Sequence, residues 1–441
     1  MPLHPVLEER LNAALEPSTS VEITPRDAKL PGIPGKTHAI IGMRRAGKTT
    51  YLRQLLAERR MRLPPEQALY LSFDDDRLVG IGGEQLGFLL EEFYRRYPAL
   101  RGRQSVLWLF DEIQLVPEWE RFIRRAMDSE RVEFVVSGSS ARMLSREVHT
   151  SLRGRGMETV IRPFSFREFL RHRKEEPAKP VRQWTAAQRS SVEKRFREFL
   201  AEGGFPEAQN LTAPLQIELL QSYVDSVLFR DVVERFEVSQ VTALRWLVRH
   251  CLRNPAGSFS VHRLSQDLKS QGHGVARDAV NAMLGHLVDA FLLSAVPVAT
   301  DSERQRNSNP RKIYPADPGL IRAFDASGRA NTGHALETAV FNELERRRSE
   351  TGYVKTADGF EVDFLARYRG AGEELIQVCA NLQSRDTIGR EVRALEAAAK
   401  EHPHARQLIL VLDRDGAGEF EPVPGVEVIP AYEWLLSGST Q

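Results

Sequence analysis

The stretch THAIIGMRRAGKTT, residues 37–50, decides how this chain is read. THAIIG is an apolar run of the kind a buried strand uses, and YLRQLLAER, after GKTT, has helical periodicity. Between them, Gly42 to Thr49 fits the pattern G-x-x-x-x-G-K-[ST]. Glycines let the backbone turn tightly and bring its N–H groups against phosphate oxygens. The helix starting near Lys48 points its positive dipole end at the same anion. ATP is therefore the expected ligand, cradled by Gly42, Arg44, Arg45, Ala46, Gly47, Lys48, Thr49 and Thr50. Lys48 is expected to reach the β- and γ-phosphates, and the Thr49 hydroxyl to ligate Mg²⁺. The strand–turn–helix context favours this over a basic turn without a ligand.

Outward from that stretch, strand and helix patterns alternate. ALYLSFDDD reads as a strand, GEQLGFLLEEFYRRY as a helix, VLWLFDE as a strand buried on both faces, EWERFIRRAMDS as a helix and EFVVSGSS as a strand. Such alternation implies a mostly parallel sheet covered on both sides. VLWLFDE delivers two carboxylates at its C-terminal end, where open α/β sheets bind ligands. Asp111 is expected to hold Mg²⁺ and Glu112 to polarise the attacking water. Asp74, Asp75 and Asp76, after the previous strand, are the second candidate for the metal. Ser137, then Ser140, could position the water, and either serine would serve equally as a helix N-cap. In SLRGRG, Arg153 and Arg155 could meet the γ-phosphate of a neighbouring subunit. The alternative for them is a solvated basic loop.

Bulk properties bound the rest. The chain has 441 residues, 41% hydrophobic and 27% charged, which is neither disordered nor fibrous and suggests several domains. A net charge of +1 excludes a global polyanion-binding surface, so nucleic acid would need a local basic patch. Two distant cysteines, Cys251 and Cys379, argue against a disulfide framework. No apolar run approaches the roughly 18–20 residues of a membrane helix. MPLHPVLEER lacks a leader pattern, so no membrane and a cytoplasmic location are expected.

The segments GMRRAGKTT, LFDEIQLVPEWE, SGSSARML and LRGRGMETVIRPFSFREFL resemble the AAA-type P-loop ATPases of bacteria and archaea. They look like the group carrying a C-terminal domain of unknown function with a restriction-endonuclease-like core. The resemblance runs from about Thr37 to about Leu412. It implies Walker A and B roles for Lys48, Thr49, Asp111 and Glu112, an arginine finger in LRGR, and a homo-oligomer, with a hexamer as the candidate assembly. The expected fold class is α/β, in five segments. They are an N-terminal segment (1–35), an AAA-type ATPase core with a parallel sheet (36–170), a helical lid (171–235), a winged-helix domain (236–325) and a nuclease-like domain (326–441).

Helices HRLSQDL and RDAVNAMLGHLVDA, joined by SQGHG, have helix–turn–helix proportions. Val280, Met283, Leu284 and Leu287 fall at helical spacing and are candidate core. Arg263, Lys269, His273 and Arg277 could face DNA. The polar stretch TDSERQRNSNPRK reads as a loop or wing, adding Arg304, Arg306, Arg311 and Lys312. Protein contact, or a merely solvated face, is the alternative. Arg59-Arg60 and Arg95-Arg96 read as solvated helix surface.

A nuclease of the PD-(D/E)xK type needs an acid on one strand, then acid-x-lysine on the next. Glu361-Val362-Asp363-Phe364 supplies the first element and Glu337 a helical acid, but the second reads Gln377-Val378-Cys379. Glu337, Asp363 and Gln377 thus read as a vestigial site, and Cys379 as a small buried residue. The leading expectation is an ATP-hydrolysing motor or switch on branched or duplex DNA, cycling ATP and ADP with Mg²⁺. A nucleotide-dependent regulator or scaffold with a protein partner is the alternative, and a metal-dependent nuclease the minor one.

Overall fold

The computed structural model describes residues 2–16, 22–138, 154–325, 331–380, 385–418 and 423–437. The chain divides into two compact units, residues 1–162 and 163–440.

In the first unit, strands β1 (Thr37–Ile41), β2 (Ala68–Ser72), β3 (Val106–Asp111), β4 (Val132–Ser137) and β5 (Gly156–Val160) form a sheet of order β2-β3-β4-β1-β5. Every pairing in it is parallel. Helices α1 (Pro5–Leu15), α2 (Lys48–Arg60), α3 (Gly83–Arg96) and α4 (Trp119–Ser129) accompany it. All six residues of β3 are buried. Their period of two splits them between the faces. Leu107 and Leu109 pack with Tyr51, Leu52 and Leu56 of α2. Trp108 and Phe110 pack with Phe93 of α3 and Phe134 of β4. A strand covered on both faces cannot alternate polar and apolar residues, which is why VLWLF is continuous.

One reading of this unit is corrected. Arg60 is not solvated helix surface: its guanidinium donates to the carbonyls of Ala14, Glu16 and Ala68. It ties the end of α1 to the start of β2. Arg96 likewise pairs with Glu8 at 3.0 Å and Glu92 at 2.7 Å.

The second unit begins with helices α5 (Phe166–His172), α6 (Ala186–Glu202) and α7 (Ala213–Ser226). Capping boxes start α5 (Ser165, Glu168) and α6 (Thr185, Gln188). The run read as one helix from Gln221 changes to π geometry over Val227–Val233. Helix α8 (Val241–Arg253) precedes a small antiparallel sheet, β6 (Ser258–Phe259), β8 (Arg311–Pro315) and β7 (Leu293–Val296) in that order. Between β6 and β7 lie α9 (Val261–Ser270) and α10 (Arg277–Asp289).

TDSERQRNSNPRK is not a loop or wing throughout. Ser302 caps a short helix, α11 (Glu303–Ser308), and Arg311 and Lys312 open the central strand β8. The reason is the sequel: Ile313 and Tyr314 are buried, so the strand that carries them must enter the core.

After α12 (Gly319–Phe324) and α13 (Thr332–Arg346), strands β9 (Glu350–Lys355), β10 (Glu361–Tyr368), β11 (Gly372–Cys379), β12 (Arg406–Val411) and β13 (Val426–Pro430) form a mixed sheet. β10 pairs antiparallel with both β9 and β11, whereas β12 pairs parallel with both β11 and β13. The crossover between β11 and β12 is α14 (Arg385–Glu401), and α15 (Arg414–Gly418) and α16 (Ala431–Ser437) complete the chain. One hydrophobic core runs from Phe164 and Phe199 through Val296, Tyr314 and Ile321 to Leu336, Phe364 and Tyr432. Cys251 and Cys379 are both buried and are not joined in a disulfide.

Candidate active site

The loop after β1 is shaped by close backbone approach. Gly42 has φ 143°, and a Cβ there would stand 2.1 Å from the Ile161 carbonyl oxygen, so only glycine fits. Arg45 adopts the left-handed conformation at φ 64°. Gly47, at φ 99°, caps α2 without a side-chain hydrogen bond, and no acid lies in the first turn. Gly47 itself, having no side chain, supplies no acceptor to the N-terminal N–H groups of this 13-residue helix, which suits a phosphate. Lys48 is buried, its ammonium donating to the carbonyls of Gly42 at 3.0 Å and Met43 at 3.1 Å. Thr49 is half-buried, Thr50 exposed. Arg26, which the sequence reading missed, donates from Nη1 to the Ala46 carbonyl at 2.9 Å and from Nη2 to the Arg162 carbonyl. It fastens the loop to the end of β5, and no motif marks it.

Asp111 ends β3, one strand beyond β4 as seen from β1. Its carboxylate accepts hydrogen bonds from the Ser137 hydroxyl and, at 2.7 Å, from the Tyr70 hydroxyl. Burial first, and the Asp111 charge second, hold the Tyr70 hydroxyl well above its ordinary value, so it stays a donor. Ser137 ends β4, opposite Ile40 of β1 in register, and is fully buried. Its oxygen also accepts from the Glu112 N–H at 3.4 Å. Glu112 is in the left-handed conformation, φ 55°, and Gln114 Nε2 donates to its Oε2 at 2.5 Å. Thus Lys48, Asp111, Glu112 and Ser137 all sit at the C-terminal edge of three adjacent parallel strands. Tyr70 was not foreseen, because its role appears only through the β2–β3 register.

The other candidates separate. Of the Asp74–Asp76 run, Asp75 pairs with Arg10 at 2.5 Å and Arg77 at 2.9 Å. Arg155 pairs with Asp128 at 2.5 Å. Arg153 and Ser140 lie outside the described residues. No helix among the described residues is long and apolar enough to cross a membrane.

In the second unit, Arg263 and Lys269 on α9 and Arg277 on α10 are exposed. Arg306 instead pairs with Glu303 at 3.7 Å and Glu350 at 3.5 Å. Arg311 is half-buried on β8. Lys312 is no phosphate contact. It is buried, with its ammonium 2.8 Å from Glu361, 2.9 Å from Asp363 and 3.6 Å from Glu337. Gln377 does not join them: it accepts from the Asp363 N–H at 3.3 Å and donates to Glu391 at 2.6 Å. Glu361 and Lys312 were missed as members of this cluster. Glu361 stands two residues before Asp363 on one face of β10, a legible signal, but Lys312 lies fifty-one residues upstream of Asp363 on another sheet.

A parallel sheet with a glycine-turned phosphate loop after one strand, and a buried acid two strands away, gives the first unit the fold of a P-loop ATPase of the AAA type. Residues 35–170 match the family described as an AAA domain, and residues 193–331 a domain of unknown function, DUF8612. An uncharacterized protein of Methanocaldococcus jannaschii is 30% identical over 442 residues, 98% of this chain and 95% of its own length. The chain belongs to the family of that protein. An uncharacterized protein of Haemophilus influenzae is 27% identical over 402 residues, 90% of this chain and 93% of its own. Among solved structures, a Walker-type ATPase of Pyrococcus abyssi aligns with 65% of this chain and 90% of its own, at 14% identity and a TM-score of 0.43.

Proposed function

We propose that the first unit binds ATP with Mg²⁺ at Gly42–Thr50 and hydrolyses it. One observation carries this reading: Asp111 is buried at the C-terminal end of its strand, pinned by Ser137 and Tyr70, two strands from the loop that holds Lys48. The residues fit the implied groups. The α2 N-terminus offers N–H donors to phosphate, Lys48 a cation, and Thr49 and Asp111 oxygen ligands for Mg²⁺. The metal supplies neutralisation of the charge that develops on the phosphate oxygens. Glu112 orients water and takes up its proton as the oxygen–phosphorus bond forms and the bond to ADP breaks. Ser137 holds Asp111 and, through its oxygen, the Glu112 backbone. Lys48→Ala should abolish nucleotide binding. Glu112→Gln should lower kcat at least roughly a hundredfold while leaving ATP affinity within a few-fold. An unchanged rate in both, measured by phosphate release, refutes the site.

The same reading takes the second unit as the part that responds to nucleotide, built of a helical lid, a winged-helix module and a nuclease-like domain. It takes DNA as the partner, in a homo-oligomer in which Arg153 or Arg155 reaches a neighbour's phosphate. Exposed Arg263, Lys269 and Arg277 on α9 and α10 support DNA as the partner. Duplex or junction DNA should then raise the ATPase rate, with a salt-dependent affinity that the triple glutamate variant at these three positions loses. Turnover indifferent to all nucleic acids would leave the reading of a regulator with a protein partner.

A further inference from the structure

Three carboxylates meet in the second unit from two different elements. Glu337 comes from α13, and Glu361 and Asp363 from β10. Such a group repels itself unless a nearby cation or a retained proton offsets the charge. Burial, then the Asp363 charge, holds the Glu337 carboxyl well above its ordinary range, and the remaining charge calls for a cation. The cation here is covalently part of the chain. We propose that the Lys312 ammonium is the resident cation of this cluster, standing where a nuclease-like domain would bind a divalent metal, so that the site works without metal as a clasp between the β6-β8-β7 sheet and the C-terminal sheet.

The distances support an ammonium cage. Lys312 Nζ stands 2.8, 2.9 and 3.6 Å from its three oxygens. Mg²⁺ requires oxygens at roughly 2.0–2.1 Å in near-octahedral order. Among the described residues no three His, Cys, Asp or Glu side chains are placed to hold a metal ion. The ring face of Tyr353, 5.8 Å from Nζ, completes one side of the cage, which suits an ammonium and offers a metal nothing. The carboxylate oxygens are also committed. Asp363 Oδ1 accepts from Lys312 and Oδ2 from the Val378 N–H at 3.0 Å. Glu337 Oε1 accepts from the Tyr314 hydroxyl at 2.8 Å.

The two sheets also meet beside the cluster. Val298, just past β7, pairs in parallel with Tyr353 of β9. The Tyr353 hydroxyl donates to the Pro310 carbonyl at 2.7 Å. Tyr314 of β8 stacks on Phe341 of α13 with centroids 4.5 Å apart. The ammonium therefore lies inside a seam already closed by strand pairing and aromatic packing. The Glu361 side chain is 45% exposed, which gives small solutes a way in.

The test is chemical rescue in the full-length protein, read by thermal unfolding. Lys312→Ala should unfold several degrees below the wild type. Ethylammonium at tens of millimolar should recover at least about half of that loss, whereas tetramethylammonium, sodium and Mn²⁺ should not. Wild-type unfolding should respond to Mn²⁺ no differently from Asp363→Asn. Two results overturn the proposal: Mn²⁺ stabilising the wild type in a way that Asp363→Asn abolishes, or Mn²⁺ replacing ethylammonium as the rescuer. Either would make Lys312 a neighbour of a metal instead of its substitute. If Lys312→Ala does not fold, Lys312→Gln serves in its place, and the wild-type comparison with Asp363→Asn decides alone.

Discussion

Asp317 is fully buried, and its carboxylate accepts the backbone N–H of Gly204 at 2.7 Å and of Gly319 at 2.9 Å. Burial holds its carboxyl up at about 6, against 3.8 for a free aspartate, in spite of those bonds. The folded state therefore binds this proton more tightly than the unfolded chain. Its contribution to stability is complete below pH 3.8 and is lost as the pH rises through about 6. At roughly 1.4 kcal/mol per pKa unit, the loss is about 3 kcal/mol. Asp317→Asn cannot titrate, though it surrenders one acceptor. Calorimetry from pH 4 to pH 7 should show the gap between the two proteins moving in the variant's favour by most of that amount. A gap constant with pH would show that Asp317 titrates normally. At this scale the phosphate loop was fully legible, since Gly42, Gly47, Lys48 and Thr49 are adjacent. Arg26, Tyr70 and Asp317 were not, because each acts on groups that only folding brings near.

Helix α1 shows how an element can depend on one distant side chain. It buries Leu7, Leu11 and Ala14, yet the carbonyls at its C-terminal end are served by Arg60 at the end of α2. Burial lowers the pKa of that guanidinium, but three carbonyl partners keep it in place. Arg60→Ala should destabilise the first unit by about 1 kcal/mol, the order of the hydrogen bonds lost to partly buried carbonyls. Hydrogen exchange should localise the loss to α1 and the start of β2. Unchanged protection there would mean that apolar packing alone seats the helix. Sequence could not separate Arg59 from Arg60, because helical phase gives a direction and not what the neighbouring element offers. The same limit hid β8: RKIYP is too short to announce a central strand, and its polar approach reads as a loop.

For the whole molecule, two compact units share one chain, and each has its own core. The Lys312 cluster belongs to the second and the nucleotide site to the first. Lys312→Met should lower the stability of the second unit by roughly 3–5 kcal/mol, the usual cost of stranding buried partners of a broken ion pair. Binding of a fluorescent ATP analogue should be unchanged within error. A parallel loss of nucleotide affinity would show that the two sites are coupled. The sequence alone determined that the first unit carries a mostly parallel sheet with a phosphate loop, because alternating apolar strands and amphipathic helices favour that sheet and the loop is contiguous, whereas the strand order and β5 came only with the fold. It also determined that the C-terminal acid-x-lysine motif fails at Gln377-Val378-Cys379. Only the tertiary structure decided what answers the acids left behind. Glu337, Glu361 and Asp363 are answered by a cation, and electrostatics does not care where in the chain it originates. Lys312 supplies it from another sheet, at a separation no local pattern spans.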